Sequence, residues 1–179
     1  MKSRIWKGVL VVMAASFVLG SGARAQSSDN DGCSNRTLEG DYAFRVSGEF
    51  FGQNGAVTLR DGVAMTHFDG GGGLTQVDFV MSNGTPLPGP ADPGTRFHVD
   101  EKGTYRVNSD CTGDAEIHFP APPGDHSGAV IKLMFVLSHG GNAIHTIVSE
   151  LIPPGMSNPI PVLIHSDGER VSRSHRDDW

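Results

Sequence analysis

The sequence predicts an all-β protein: a single antiparallel meander β-barrel of about eight strands, with little helix. Three observations carry this expectation. Short runs alternate apolar and polar side chains with a period of two. Glycine and proline turns punctuate them closely, with 24 Gly and 11 Pro in 179 residues. No capped stretch of ten or more residues shows an apolar 3.6-residue period. A two-sheet β-sandwich is the alternative architecture. Strands that follow one another through short turns favour the barrel, which also removes exposed edges.

The chain divides into a signal peptide (1–25), a flexible N-terminal segment (26–39), the barrel domain (40–166) and a charged C-terminal tail (167–179). Lys2, Arg4 and Lys7 precede an apolar core, Gly8 to Leu19, and Ala23-Arg24-Ala25 offers small residues where a signal peptidase reads them. Cleavage is therefore expected after Ala25, and the protein is expected to be secreted or periplasmic. The apolar run falls short of the roughly 20 residues of a membrane span, so no membrane insertion is expected after cleavage. Four of the 14 bases lie in this segment, leaving ten against 20 acids. So acidic a mature chain is repelled by nucleic acid, which is excluded as a partner.

From Gly40, Tyr42, Phe44, Val46 and Phe50 mark one face of a first strand. Ala56 to Leu59 begins a second, continuing from Val63 to Phe68, with Asp61-Gly62 read as a bulge or bend within it. Asp69 to Gly73 is a turn, and Leu74 to Met81 a third strand in which Leu74, Gln76, Asp78 and Val80 share a face. Residues 82–95 hold four prolines and read as a loop. Arg96 to Asp100 and Gly103 to Val107 read as two strands around an Asp100-Glu101-Lys102-Gly103 turn. Asp114 to Phe119 is the next strand, followed by a proline-rich loop, 120–128. The strongest hairpin runs from Ala129 to Ser138, turns at His139-Gly140-Gly141-Asn142 and returns from Ala143 to Ile152. Prolines at 153, 154, 159 and 161 precede a short strand around Val162 to His165. Two cysteines, Cys33 and Cys111, are most simply a disulfide in an oxidising compartment. Closing so long a loop contributes roughly 4 to 4.5 kcal/mol in the chain-entropy account.

Three phrases, Leu38-Glu39-Gly40-Asp41-Tyr42-Ala43-Phe44 with Ser47-Gly48, Phe68-Asp69-Gly70-Gly71-Gly72, and Gly103 to Asn108 running into Asp110-Cys111-Thr112-Gly113, carry a resemblance. Together they resemble a poorly characterised set of exported bacterial proteins, which look similar to calycin-type and allene-oxide-cyclase-like β-barrels. The resemblance covers roughly residues 36–120. It implies a barrel and transfers no catalytic residue, because such barrels host carriers, cyclases and inert modules alike.

No metal site and no cofactor is expected. The eight histidines, His67, His98, His118, His126, His139, His145, His165 and His175, form no HxH, HxxxH or HExxH pattern. On the hairpin, a two-residue turn at Gly140-Gly141 places Glu150 opposite Ile131 among aliphatic side chains. Glu150 is thus the weak catalytic candidate, a buried carboxyl able to move a proton, unless it is a rim carboxylate or pairs with an arginine such as Arg45 or Arg106. The leading function is a secreted small-molecule-binding barrel for a ligand of apolar character, touching Phe44, Phe135, Leu137 and Ile144. A cyclase or isomerase using a buried carboxylate or histidine is one alternative. A cavity-free structural or interaction module of the cell envelope is another. The oligomeric state and the ligand's identity stay open.

Overall fold

The computed structural model describes residues 32–52, 55–87, 96–122, 124 and 126–171. The expected signal segment, its cleavage site, His175 and most of the charged tail lie outside them. Among the described residues nine strands form: β1 (Gly40–Phe51), β2 (Val57–Phe68), β3 (Gly73–Ser82), β4 (Thr85–Pro86), β5 (His98–Val107), β6 (Thr112–His118), β7 (Val130–Ser138), β8 (Ala143–Ile152) and β9 (Val162–Arg170). Each pairs antiparallel with its neighbours, and β1 bonds both β2 and β9, which closes eight strands into a barrel. The two-residue β4 pairs only with β3 and stands outside the ring. The described residues also include two 3-10 turns, Asn35–Leu38 and His139–Gly141.

Several boundaries differ from the sequence expectation. No bulge interrupts β2: Gly62 keeps register with Val46 on one side and Val80 on the other. The two strands expected around Asp100–Gly103 are one strand, β5, with an extra residue opposite Gln76–Asp78. Asp100 takes a φ of 67° there, so the turn chemistry bends a strand rather than ending it. A second irregularity lies in the β7–β8 hairpin, where Lys132 pairs Glu150 but Leu133 pairs Val148. The last strand runs on to Arg170, so the first residues of the expected tail belong to the barrel.

One end of the barrel is plugged. Residues expected to be flexible, from Gly32 to Glu39, instead cross this end, and Leu38 is fully buried. Tyr42, Phe68 and Tyr105 stack edge-to-face beneath it, with centroids 5.4 and 4.9 Å apart. Arg170 lies 5.0 Å above the Tyr42 ring and donates to the Thr37 carbonyl at 2.6 Å. The Cys33–Cys111 disulfide, Cα–Cα 4.9 Å, fastens the plug to the β5–β6 turn. Asp69 caps its own glycine turn by accepting the Gly71, Gly72 and Gly73 N–H groups at 2.7–2.9 Å. These bonds hold its carboxyl below the usual range. Gly168 and Gly113 make room for aromatic rings inside the barrel. A Cβ on Gly168 would lie 2.4 Å from the Phe44 ring, and one on Gly113 would lie 2.2 Å from Phe135.

Candidate functional site

Between the plug and the proline-bearing loops lies a cavity of about 560 Å³. Its walls are mostly apolar: Phe44, Ala64, Ile117, Phe135, Ile144 and Ile164 all face it. Pro120, Pro122, Pro153 and Pro154 line its far end, where the two proline-rich segments meet it. Of the expected ligand contacts, Phe44, Phe135 and Ile144 line this space. Leu137 does not; it packs, half-buried, against the core near the plug. A side-chain-filled interior, the expectation for a purely structural module, is not what this barrel holds.

Among the described residues, four ionisable side chains line the cavity: Arg60, Asp78, His98 and Glu101. The β5 bulge assembles three of them. Without an extra residue, His98 and Glu101 would point to opposite faces; with it, both point inward, opposite Asp78 and Gln76. A polar chain results. Thr66 Oγ1 donates to Gln76 Oε1 at 2.8 Å, and Gln76 Nε2 donates to Glu101 Oε2 at 2.7 Å. Glu101 in turn hydrogen-bonds Asp78. His98 Nδ1 meets Asp78 Oδ1 at 2.6 Å, and its Nε2 meets the Leu87 carbonyl at 2.8 Å. A carbonyl can only accept, so Nε2 carries a proton, and one further proton bridges Nδ1 and Asp78.

Glu101 is 0% exposed, and its Oε1 has no hydrogen-bond partner among the described residues. Burial, followed by the neighbouring Asp78 charge, pushes its pKa up to about 9. Glu101 therefore holds its proton at neutral pH. Burial also raises Asp78, against the pull of His98. One donor atom each from Asp78, His98 and Glu101 lie within 4.8 Å of one another, so these three could hold a metal ion. Any ion there would have to displace the bridging protons.

Arg60 is the fourth group. It points inward near the far end of β2, its guanidinium 4.4 Å from the Phe50 ring centre. Its Nε and Nη1 are buried with no hydrogen-bond partner among the described residues. Burial lowers its pKa from the ordinary arginine value.

Glu150, the candidate from sequence, is not in this site. The extra β8 residue turns Leu151 into the barrel in its place. Its carboxylate lies 2.5 Å from Lys132 Nζ, with the two side chains 33% and 45% exposed. The partner is neither Arg45 nor Arg106, which bonds Asp114 at 2.8 Å. Among the described histidines, only His98 lines the cavity. His67, His118 and His145 instead pair carboxylates on partly or fully exposed surface, each at 2.7 Å.

Sequence reasoning placed Asp78 on the correct face but missed Arg60 and Glu101. The signal for both was present. Counting back by twos from Phe68 reaches Arg60, and counting back by twos from Val107 through Tyr105 and Gly103 reaches Glu101.

Fold and site together define a class: a closed, antiparallel eight-stranded barrel, disulfide-fastened, with an internal cavity. Compared with known proteins, the chain matches no family model, and no curated protein is significantly similar to it.

Proposed function

We propose that the chain is an exported binding protein for a small, largely apolar molecule held inside the barrel. The observation that carries this reading is the cavity of about 560 Å³. Ligand sites usually span about 300–1,000 Å³, with apolar walls and a few convergent polar groups. Export is supported by the basic–apolar–small order of residues 1–25 and by the disulfide, a bond suited to oxidising compartments. Kinship with the calycin-type and allene-oxide-cyclase-like barrels belongs to the same proposal. It is supported by the eight-stranded closure and by the position of the shared phrases, whose Tyr42, Phe68, Tyr105 and Cys111 form the plug and its staple.

The test is titration with a neutral fluorophore, N-phenyl-1-naphthylamine, of the wild type and of Ala64→Phe, which fills the cavity. Saturable binding that Ala64→Phe abolishes, with an unchanged circular dichroism spectrum, is the expected outcome. No saturable binding, together with no small molecule in the native mass spectrum of freshly purified protein, would sink the reading.

A second reading is an acid–base enzyme of the cyclase or isomerase type. The protonated Glu101, with one unpaired oxygen and the Asp78–His98 pair beside it, favours this reading. Catalytic proton exchange into enolisable ketones, followed by NMR, examines it. Exchange lost in Glu101→Gln while the fluorophore still binds supports it; undiminished exchange removes Glu101 from the chemistry.

A further inference from the structure

Among the described residues, the charges lining the cavity do not balance. Asp78 is matched by His98 at 2.6 Å, and Glu101 holds its proton, so neither is free to neutralise Arg60. Arg60 faces the same interior with two buried N–H-bearing nitrogens unpaired among the described residues. Arg60 is half-buried, and leaving two buried guanidinium nitrogens without acceptors is costly. Stacking on Phe50 offsets only part of that cost and satisfies no donor.

We propose that Arg60 anchors the anionic head of the ligand, and that the ligand is an amphipathic carboxylic acid with its apolar body in the barrel. This rests on the binding reading above and names its ligand class. Position supports it. Ala64, the β2 partner of Asp78, is four residues from Arg60 on the same face, about 13 Å at strand rise. A head group at Arg60 therefore stays near the proline-lined end and clear of the Asp78–Glu101 carboxyls. The body then extends toward Phe44, Phe135 and Ile144 at the plugged end. A cavity of about 560 Å³ holds on the order of 20 methylene-sized groups at about 30 Å³ each, enough for a medium-chain acid. Charge selects carboxylate over phosphate. A monoanion cancels the single charge of Arg60, whereas a phosphate monoester brings about −1.5 to −2 and leaves excess negative charge inside a mostly apolar cavity.

The experiment is calorimetric titration of the wild-type protein with three matched probes: dodecanoate, dodecanol and methyl dodecanoate. Dodecanoate should bind on the order of ten- to hundredfold more tightly than the two neutral probes, as expected for a charge-assisted hydrogen bond. That preference should vanish in Arg60→Met, while dodecanol affinity is kept or improved. Equal affinity of the wild type for all three probes overturns the Arg60 assignment and leaves the apolar cavity reading standing. Failure of all three to bind overturns both. The wild-type comparison decides the question even where Arg60→Met fails to fold.

Discussion

Replacing Glu101 by Gln should remove much of the pH dependence of this protein's stability. The folded-state pKa of Glu101 is about 9, against 4.5 for the free side chain. At about 1.36 kcal/mol per unit, that displacement is worth about 6 kcal/mol in full. Between those two values the folded chain binds a proton that the unfolded chain has released. Unfolding then releases a proton, so stability falls as pH rises, by up to about 1.4 kcal/mol per unit. The contribution is complete below pH 4.5 and lost as pH climbs through 9. From about pH 5.5 to 7.5 the wild type should lose about 3 kcal/mol through this group. Gln is neutral throughout and can still accept from Gln76, so Glu101→Gln should show a slope shallower by about that amount. Urea unfolding of both proteins at several pH values across this interval measures the difference. Asp78 is raised in the wild type as well, which makes the difference between slopes, rather than either slope, the informative quantity. Parallel slopes would refute the reasoning, because they would mean that Glu101 titrates alike in both states.

Three further outcomes follow from the geometry. Cys33→Ser should cost about 4.5 kcal/mol by the chain-entropy account for a separation of 78 residues, read as a lower urea midpoint. Gly168→Ala should cost about 1–3 kcal/mol because its Cβ meets the Phe44 ring, and Phe44→Leu in the same chain should return part of that loss in a double-mutant cycle. Glu150→Gln should leave both the urea midpoint and probe binding within experimental error, since its ion pair with Lys132 stands on partly exposed surface. A clear loss of probe binding in that variant would restore Glu150 to the site.

The fold was legible because period-two alternation survives where turns are well marked. The β7–β8 hairpin, the Asp69–Gly73 turn and the inward face of β3 all follow from it. The site was less legible, and two single-residue bulges explain why. In β5 the extra residue brings His98 inside beside Glu101; in β8 it turns Glu150 out and Leu151 in. His98 and Glu150 therefore each occupy the side that a regular ladder denies them. Arg60 was hidden for a different reason. The outward face of β2 carries Leu59, Val63 and Met65, all exposed, while its inward face carries Arg60, Gly62 and Ala64. Hydrophobicity along this strand points to the wrong side.

The sequence by itself determined the strand-and-turn grammar, the pairing of two cysteines and the acidic balance, because these depend on neighbours a few residues apart or on composition alone. Only the tertiary structure decided that the N-terminal segment plugs the barrel, that a cavity remains beneath it, and which ionisable groups face that cavity. Those outcomes depend on closure and register across strands distant in sequence, where one inserted residue reverses the side on which every later side chain stands.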